Sequence, residues 1–374
     1  MLQKLFVATA TLFLFYTSSS QVASIAVAAD SSKTETDVPK TPALKISGSV
    51  DLYYKYDFAN TAANGFTSFT TQHNGFTPGM ASVKLEHSGE KVSAVADLGF
   101  GPRAKEFAYT SDGITQAIKQ LYVSYSPASW LKFTMGVWAT HVGYELVDPQ
   151  LNRNYSMSYM FTNGPFSHTG LKAEITKGKH GFMLGVANPT DFHIPPAGFV
   201  NKKFLLAQYT FAPTDKIKLY LNYVSGENPD TSQTRQVDAV VTAKFSDKFN
   251  IAVNGTVNST RLWDGAKNIS SQTWWGAAAY LNYDPASWFG LTLREELFSD
   301  EFQLKPFAYG ADGGKILSST LSANFKAGGF TFIPEFRLDH TAKPVLFTDK
   351  NGAYKNSTAS FLVAAVYSFK YITT

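Results

Sequence analysis

The sequence predicts an all-β chain closed into a transmembrane, antiparallel, up-and-down barrel of about 16 strands. Three observations carry this expectation. Residues 44–58 alternate almost without error, with Leu44, Ile46, Val50, Leu52, Tyr54, Tyr56 and Phe58 on one face and Lys45, Ser47, Ser49, Asp51, Lys55 and Asp57 on the other. A soluble strand runs about 5 to 6 residues, whereas a tilted strand crossing a bilayer needs about 9 to 11, so this segment is sized for a membrane. The pattern then recurs in pairs joined by tight turns, such as Ser88-Gly89-Glu90, Lys177-Gly178-Lys179 and Ser246-Asp247, with longer polar stretches between pairs. That rhythm is the asymmetry of an outer-membrane barrel, which has short periplasmic turns at one rim and long external loops at the other. Finally, aromatic residues gather at strand ends: Tyr125 and Trp130 bracket one tight turn, Tyr283 and Trp288 another. Rings with a polar tip favour the headgroup level and form girdles there.

Taken in order, residues 1–29 read as a signal peptide. Lys4 supplies the basic start, Leu5 to Tyr16 the apolar run, and Ala26-Val27-Ala28 or Val27-Ala28-Ala29 the small-residue cleavage site. Residues 30–42 are polar and rich in Ser, Thr, Lys and Pro, a flexible periplasmic leader. From 43 to 374 the chain reads as one barrel, with strands expected at 44–58, 80–87, 91–100, 116–126, 131–140, 168–177, 181–187, 203–211, 216–225, 235–245, 248–257, 272–283, 288–298, 315–325, 330–339 and 358–371. Weak alternation near Gln116 and Lys203 leaves about 14 or 18 strands as alternatives. No run of about 18 to 20 apolar residues follows the signal, so a closed barrel is the remaining way to satisfy every backbone group inside lipid. The short repeat of Tyr125-Ser126-Pro127-Ala128-Ser129-Trp130 as Tyr283-Asp284-Pro285-Ala286-Ser287-Trp288 is explained by proline ending a ladder and presetting a turn.

Composition removes several function classes. The chain has no cysteine, which excludes a disulfide framework, a thiolate metal site and a cysteine nucleophile. A net charge of +4 without clustered Lys or Arg gives no case for a nucleic-acid partner. Asp191 and His193 form only a two-residue cluster, short of a metal site. Ser167 and His168 are adjacent on a strand and point to opposite faces, so a barrel-embedded hydrolase is only a third reading. No cofactor is implied.

The interior is where function is expected, because barrels of about 16 to 18 strands enclose an aqueous channel. If the apolar set of each strand meets outer-membrane lipid, then Asp51, Lys55, Asp57, Lys84, Glu86, Lys218, Asp238, Lys244, Arg294, Glu296, Glu335, Arg337 and Asp339 face the lumen or its rim. Mixed charge of this kind tunes selectivity in pores. The longest connection, 141–167, is rich in aromatic residues and Met, which argues for packing rather than disorder. Folded into the lumen it would offer Glu145, Asp148 and Arg153 to passing solute and narrow the channel. Folded outward it would be a cap or a contact between protomers.

Within that connection, Thr140-His141-Val142-Gly143-Tyr144-Glu145, Asn154-Tyr155-Ser156-Met157-Ser158-Tyr159-Met160-Phe161 and Gly164-Pro165-Phe166-Ser167-His168-Thr169-Gly170 resemble the OmpL-like β-barrel porin family. The likeness runs more loosely over nearly the whole mature chain. It implies a porin-like barrel of the bacterial outer membrane but supplies no catalytic or ligand set. Members often carry a basic residue where this chain has Met157, so the charge of a constriction does not transfer. The leading expectation is a passive, non-enzymatic porin for small hydrophilic solutes or ions, forming a homotrimer by analogy with general porins. The alternative is a plugged structural or surface-interaction barrel that binds a partner through its external loops.

Overall fold

The computed structural model describes residues 43–263 and 268–373. The signal peptide and leader expected at 1–29 and 30–42 lie outside the described residues. Sixteen long strands pair antiparallel in chain order: β1 (Ala43–Asp57), β2 (Gly75–Ser88), β3 (Val92–Phe100), β4 (Ile118–Ala128), β5 (Leu131–Ala139), β6 (Ser167–Lys177), β7 (His180–Ala187), β8 (Phe204–Thr214), β9 (Ile217–Glu227), β10 (Gln233–Lys244), β11 (Phe249–Trp263), β12 (Asn268–Ala286), β13 (Phe289–Asp300), β14 (Gly314–Ala327), β15 (Phe330–Thr341) and β18 (Ser357–Thr373). β1 returns to β18, with Leu44 opposite Thr373 and Asp57 opposite Ser360, which closes the barrel and leaves no open edge. A small hairpin, β16 (Phe347–Thr348) and β17 (Tyr354–Lys355), sits in the last long connection and has no counterpart in the alternation pattern.

The expected inside-out polarity holds along the strands. In β1, Val50 and Leu52 are 46% and 52% exposed, while Asp51 between them is 1% exposed. The rings at the tight turns, Tyr125, Trp130, Tyr283 and Trp288, are exposed on the outer surface. Connections 89–91, 129–130, 178–179, 215–216, 245–248, 287–288 and 328–329 form a short-turn rim, and 58–74, 101–117, 140–166, 188–203, 301–313 and 342–356 form the opposite long-loop rim. One connection there, 228–232, is short, so the rule of long loops at that rim is not uniform.

The strand count agrees with expectation, but several strands reach further toward the long-loop rim. β2 begins at Gly75 rather than 80, and β11 runs to Trp263 rather than 257. The physical reason is that ladder pairing continues beyond the apolar band: Asn258 and Thr260 still pair with Gln236 and Thr234. Around 258–261 both faces of the sheet are polar, so alternation vanishes while hydrogen bonding persists, and in β2 the added residues include Gly75, Pro78 and Gly79, which carry no alternation signal.

Candidate functional site: the occupied lumen

The connection 140–166 enters the barrel and is held by the inward-facing residues of the wall. Its short helix α2 (Tyr159–Asn163) starts with Ser158, whose hydroxyl accepts from the Phe161 amide. The Tyr159 and Met160 amides donate to the Glu296 carboxylate on β13, both at 2.8 Å. The Tyr155 and Ser156 amides donate to Glu335 on β15 at 2.8 and 3.2 Å. Arg294 on β13 donates to Glu145 at 2.6 Å and to the Ser156 carbonyl at 2.7 Å, and Glu145 also accepts from the Ser158 amide at 2.8 Å. Arg337 on β15 donates to the Met157 carbonyl at 2.8 Å and pairs with Asp339 at 2.9 Å. Asp339 also accepts from the Tyr159 hydroxyl at 2.9 Å. A carboxylate that takes two main-chain N–H groups at once fixes the orientation of a segment, and such charge-assisted bonds are about twice as strong as neutral ones.

Asp51 on β1 accepts from the Tyr155 hydroxyl at 2.5 Å and from the Met80 amide at 3.0 Å. Arg103 lies 3.8 Å from that carboxylate and stacks over the Phe69 and Tyr155 rings, 4.7 Å from each centroid. Gly79 makes this approach feasible, because a Cβ there would sit 1.7 Å from Asp51 Oδ2. Gly276 serves the same end across the lumen, where a Cβ would meet Met160 Cγ at 2.4 Å. Arg103 belongs to the helix α1 (Pro102–Phe107), so 101–117 also contributes to the fill. Phe69 from 58–74, Phe107 from α1, and Val147, Met157 and Phe166 from 140–166 form one buried cluster. Toward the long-loop rim, Asp191 accepts from the Phe166 amide, the Ser167 amide and the Tyr109 hydroxyl at 2.7, 2.9 and 2.9 Å. Burial pushes the Asp191 carboxyl up to about 6 against the pull of those donors.

Lys55 donates to the Thr70 carbonyl at 2.9 Å, and Asp57 accepts from the Ala59 amide at 2.8 Å and from Thr358 at 3.1 Å, so both anchor 58–74. Asp148 pairs with Lys119 on β4 at 2.5 Å, and Lys119 also reaches Asp97 at 3.0 Å. Arg153 forms two parallel bonds with Asp284, 2.9 and 2.7 Å, at the short-turn end of β12. Lys218 stands apart: it is the second residue of β9, half-buried, near the short-turn rim and away from the inserted segment.

The structure therefore brings most of the singled-out charges together, but onto one another and onto loop backbone. Cavities between them are small. One lined by Lys55, Asp57, Glu335 and Arg337 has a volume of about 10 Å³, as does one lined by Glu145, Arg153, Tyr280 and Asn282; each suits about one water. Sequence reasoning did not assign Tyr155, Tyr159, Arg103 or Asp284 a role. The inward register of β12 marks Asp284, but the tyrosine hydroxyls carry no local signal, since their partners Asp51 and Asp339 are more than a hundred residues away. Among the described residues no group of three His, Asp or Glu side chains is arranged to hold a metal ion. Asp191 and His193 take separate partners, His193 lying 3.2 Å from Ser111.

Solved structures similar to this chain share its barrel. The trimer form of in-vitro folded OmpT from Vibrio cholerae superposes with a TM-score of 0.59 at 10% identity, covering 88% of this chain and 100% of that one. The outer-membrane channel DcaP of Acinetobacter baumannii gives 0.58 at 12% identity, with 88% and 96% covered. The anion-selective porin from Comamonas acidovorans gives 0.56 at 11%, with 88% and 100% covered. At such identities the likeness is one of fold. No curated protein matches the sequence. The family model "Putative beta-barrel porin-2, OmpL-like" matches residues 43–369, which is the whole of the barrel described above apart from its last four residues, and the chain belongs to that family.

Proposed function

We propose that the protein is an outer-membrane porin, delivered there by its N-terminal segment 1–29, that lets small hydrophilic solutes or ions diffuse passively along a narrowed lumen. The observation that carries this reading is the closed barrel of sixteen strands with an apolar outer face and charged residues such as Asp51, Lys55 and Arg294 inside. Short turns face the periplasm in this orientation. The inserted segment 140–166 is the constriction, and Lys55, Asp57, Glu335 and Arg337 line a small polar cavity beside it. No catalytic role is assigned to any residue. The test is single-channel conductance of the refolded mature chain in a planar bilayer. Small, uniform steps are expected. A folded, inserted protein that never conducts would overturn the reading.

A specific observation supports the second reading, a barrel plugged by 140–166 that binds a partner through its loops: the constriction is tied to the wall by at least four charged side chains, Glu296, Glu335, Arg294 and Arg337. A silent barrel in the bilayer experiment would favour it.

Self-association also has a physical basis. Glu295, midway along β13, lies between the buried Arg294 and Glu296 and so points outward, where Ser319 donates to it at 2.6 Å. Toward β12 and β11 its neighbours on the outer face are small, with Ala279 opposite Glu295 and Gly255 opposite Ala277, while leucines flank it along β13 and β14. A carboxylate facing hydrocarbon is costly, and a second copy seated on this flat face would cover it, which fits a homotrimer. Glu295→Arg is expected to reduce the mass of the detergent-solubilised assembly from three chains to one. An unchanged mass would exclude this face as the contact.

A further inference from the structure

At the short-turn mouth the lumen carries an excess of cations over carboxylates, whereas the buried charges of the loop-filled half hold more carboxylates than cations. Lys45 and Lys84 share one carboxylate, Glu86, the second at 3.1 Å. Lys132 and Lys172 share Glu174 at 3.2 and 3.3 Å. Arg153 and Lys326 share Asp284 at 2.7 and 3.6 Å. Each of these three clusters holds two cations on one anion and keeps one positive charge over. Lys218, second in β9, and Lys370, fourth from the end of β18, occupy inward positions in the same zone, and neither has a carboxylate partner among the described residues. Lys244 is balanced by Asp247 on its turn at 2.7 Å. The mouth therefore carries about five uncompensated positive charges on opposite sides of the wall, within roughly a Debye length (about 10 Å at 0.1 M salt) of solute entering it.

We propose that this mouth is an anion vestibule, which collects small polyvalent anions bearing carboxylate or phosphate groups from the short-turn side and sets the preference of the pore for anions. This deepens the porin reading and rests on it for transport, though not for binding. A concave wall of one sign concentrates counter-ions of the other and raises their local concentration ahead of a constriction. The residue type matters too. Eight of the cations named at the mouth are lysines, strongly hydrated point charges on flexible stems, and only Arg153 presents a planar fork, which Asp284 already occupies on both prongs. Such a ring selects by charge and not by shape, so it serves a class of anions and not one molecule. Sharing two cations per carboxylate also keeps each cation positioned near the wall.

The test has two readouts that fail separately. In planar bilayers under a potassium chloride gradient, the wild-type reversal potential is expected to report chloride preferred over potassium by several-fold, and tripolyphosphate added at the short-turn side is expected to reduce the current, less so at high salt. Lys218→Glu with Lys370→Glu should abolish or invert the preference, and the milder Lys218→Gln with Lys370→Gln should halve it or more, which guards against a misfolded variant. A cation-preferring or indifferent wild type would overturn the vestibule while leaving the porin intact. If the folded protein does not conduct at all, the porin reading fails, and calorimetric binding of tripolyphosphate to the detergent-solubilised chain decides the vestibule alone. Binding that weakens at least tenfold in the double glutamate variant supports it, and absent or unchanged binding overturns it.

Discussion

The two ends of the lumen use the same residue types to opposite effect. In the loop-filled half, Asp51, Glu296, Glu335, Arg294 and Arg337 are nearly inaccessible, and their charges end on tyrosine hydroxyls, main-chain amides and carbonyls of inserted loops. In the short-turn half, Lys45 and Lys132 keep about a third of their side chains in contact with solvent (34% and 38%), although each is ion-paired. Burial decides the difference. A charge withdrawn from water must find a full set of partners and so becomes structural, whereas a charge that keeps its water remains available to a solute. An ion pair in one half and an ion pair in the other are therefore different objects, and mutation separates them.

The largest effect is expected from Arg294→Ala. The substitution strands the Glu145 carboxylate and the Ser156 carbonyl inside the barrel, and breaking a buried pair from one side costs about 3–5 kcal/mol. The inserted segment should loosen from the wall. Limited proteolysis should cut within 140–166 where the wild type resists, and channel conductance should rise. Resistance equal to that of the wild type would mean that the remaining clamps suffice alone.

A smaller loss is expected at the Asp51 contact, where two independent changes reach one bond. Tyr155→Phe removes the hydroxyl that donates to Asp51, and Gly79→Ala places a methyl group on the carboxylate oxygen. Each is expected to cost about 1–3 kcal/mol, the range for a buried group left short of a partner. Because both act through the same contact, the double variant should cost little more than the worse single one. Additive costs, measured by thermal unfolding in detergent, would show that Gly79 serves some other packing need.

At the long-loop rim, Asp191 gives the comparison a pH axis. Its folded-state value of about 6 lies above the ordinary aspartate value, so the fold prefers the protonated acid. The stability it contributes to the packing of the long-loop rim is present below about pH 4 and is lost as pH rises through about 6. Exchange of the Phe166 and Ser167 amides, corrected for intrinsic rate, should accelerate across that window in the wild type and stay level in Asp191→Asn. A flat wild-type profile would remove Asp191 from any role in holding residues 166–167 at this rim.

How far the sequence could foresee this arrangement follows from the range of the interactions. The barrel was legible because alternation and turn spacing are local: Val50, Asp51 and Leu52 reveal their faces from three adjacent positions. The girdle rings were legible for the same reason. The occupied lumen was only half legible. Aromatic residues in 140–166 signal packing, yet nothing in that stretch says that Tyr155 reaches Asp51 or that Tyr159 reaches Asp339, since those pairs are set by barrel closure and by which strand faces which. Of the mouth lysines, Lys45, Lys84, Lys218 and Lys244 were visible as inward charges, but Lys132, Lys172, Lys326 and Lys370 were not singled out, and the sharing of a carboxylate depends on cross-strand register, such as Lys132 opposite Glu174.

The smallest effect should come from Lys132→Ala, and its smallness is informative. Lys132 sits 3.2 Å from Glu174, a distance as short as many in the buried half, but it keeps much of its solvent and leaves Lys172 in place to hold the carboxylate. Ion pairs of this kind are worth about 0.2–1 kcal/mol, so thermal unfolding should shift barely beyond error. If charge at the mouth acts on solute rather than on the fold, the same variant should still lower the anion preference of the pore measurably, because it subtracts one of the uncompensated cations. A variant that is as unstable as Arg294→Ala would mean that the mouth is braced like the plug, and the division of the lumen into a structural half and a solute-facing half would have to be abandoned.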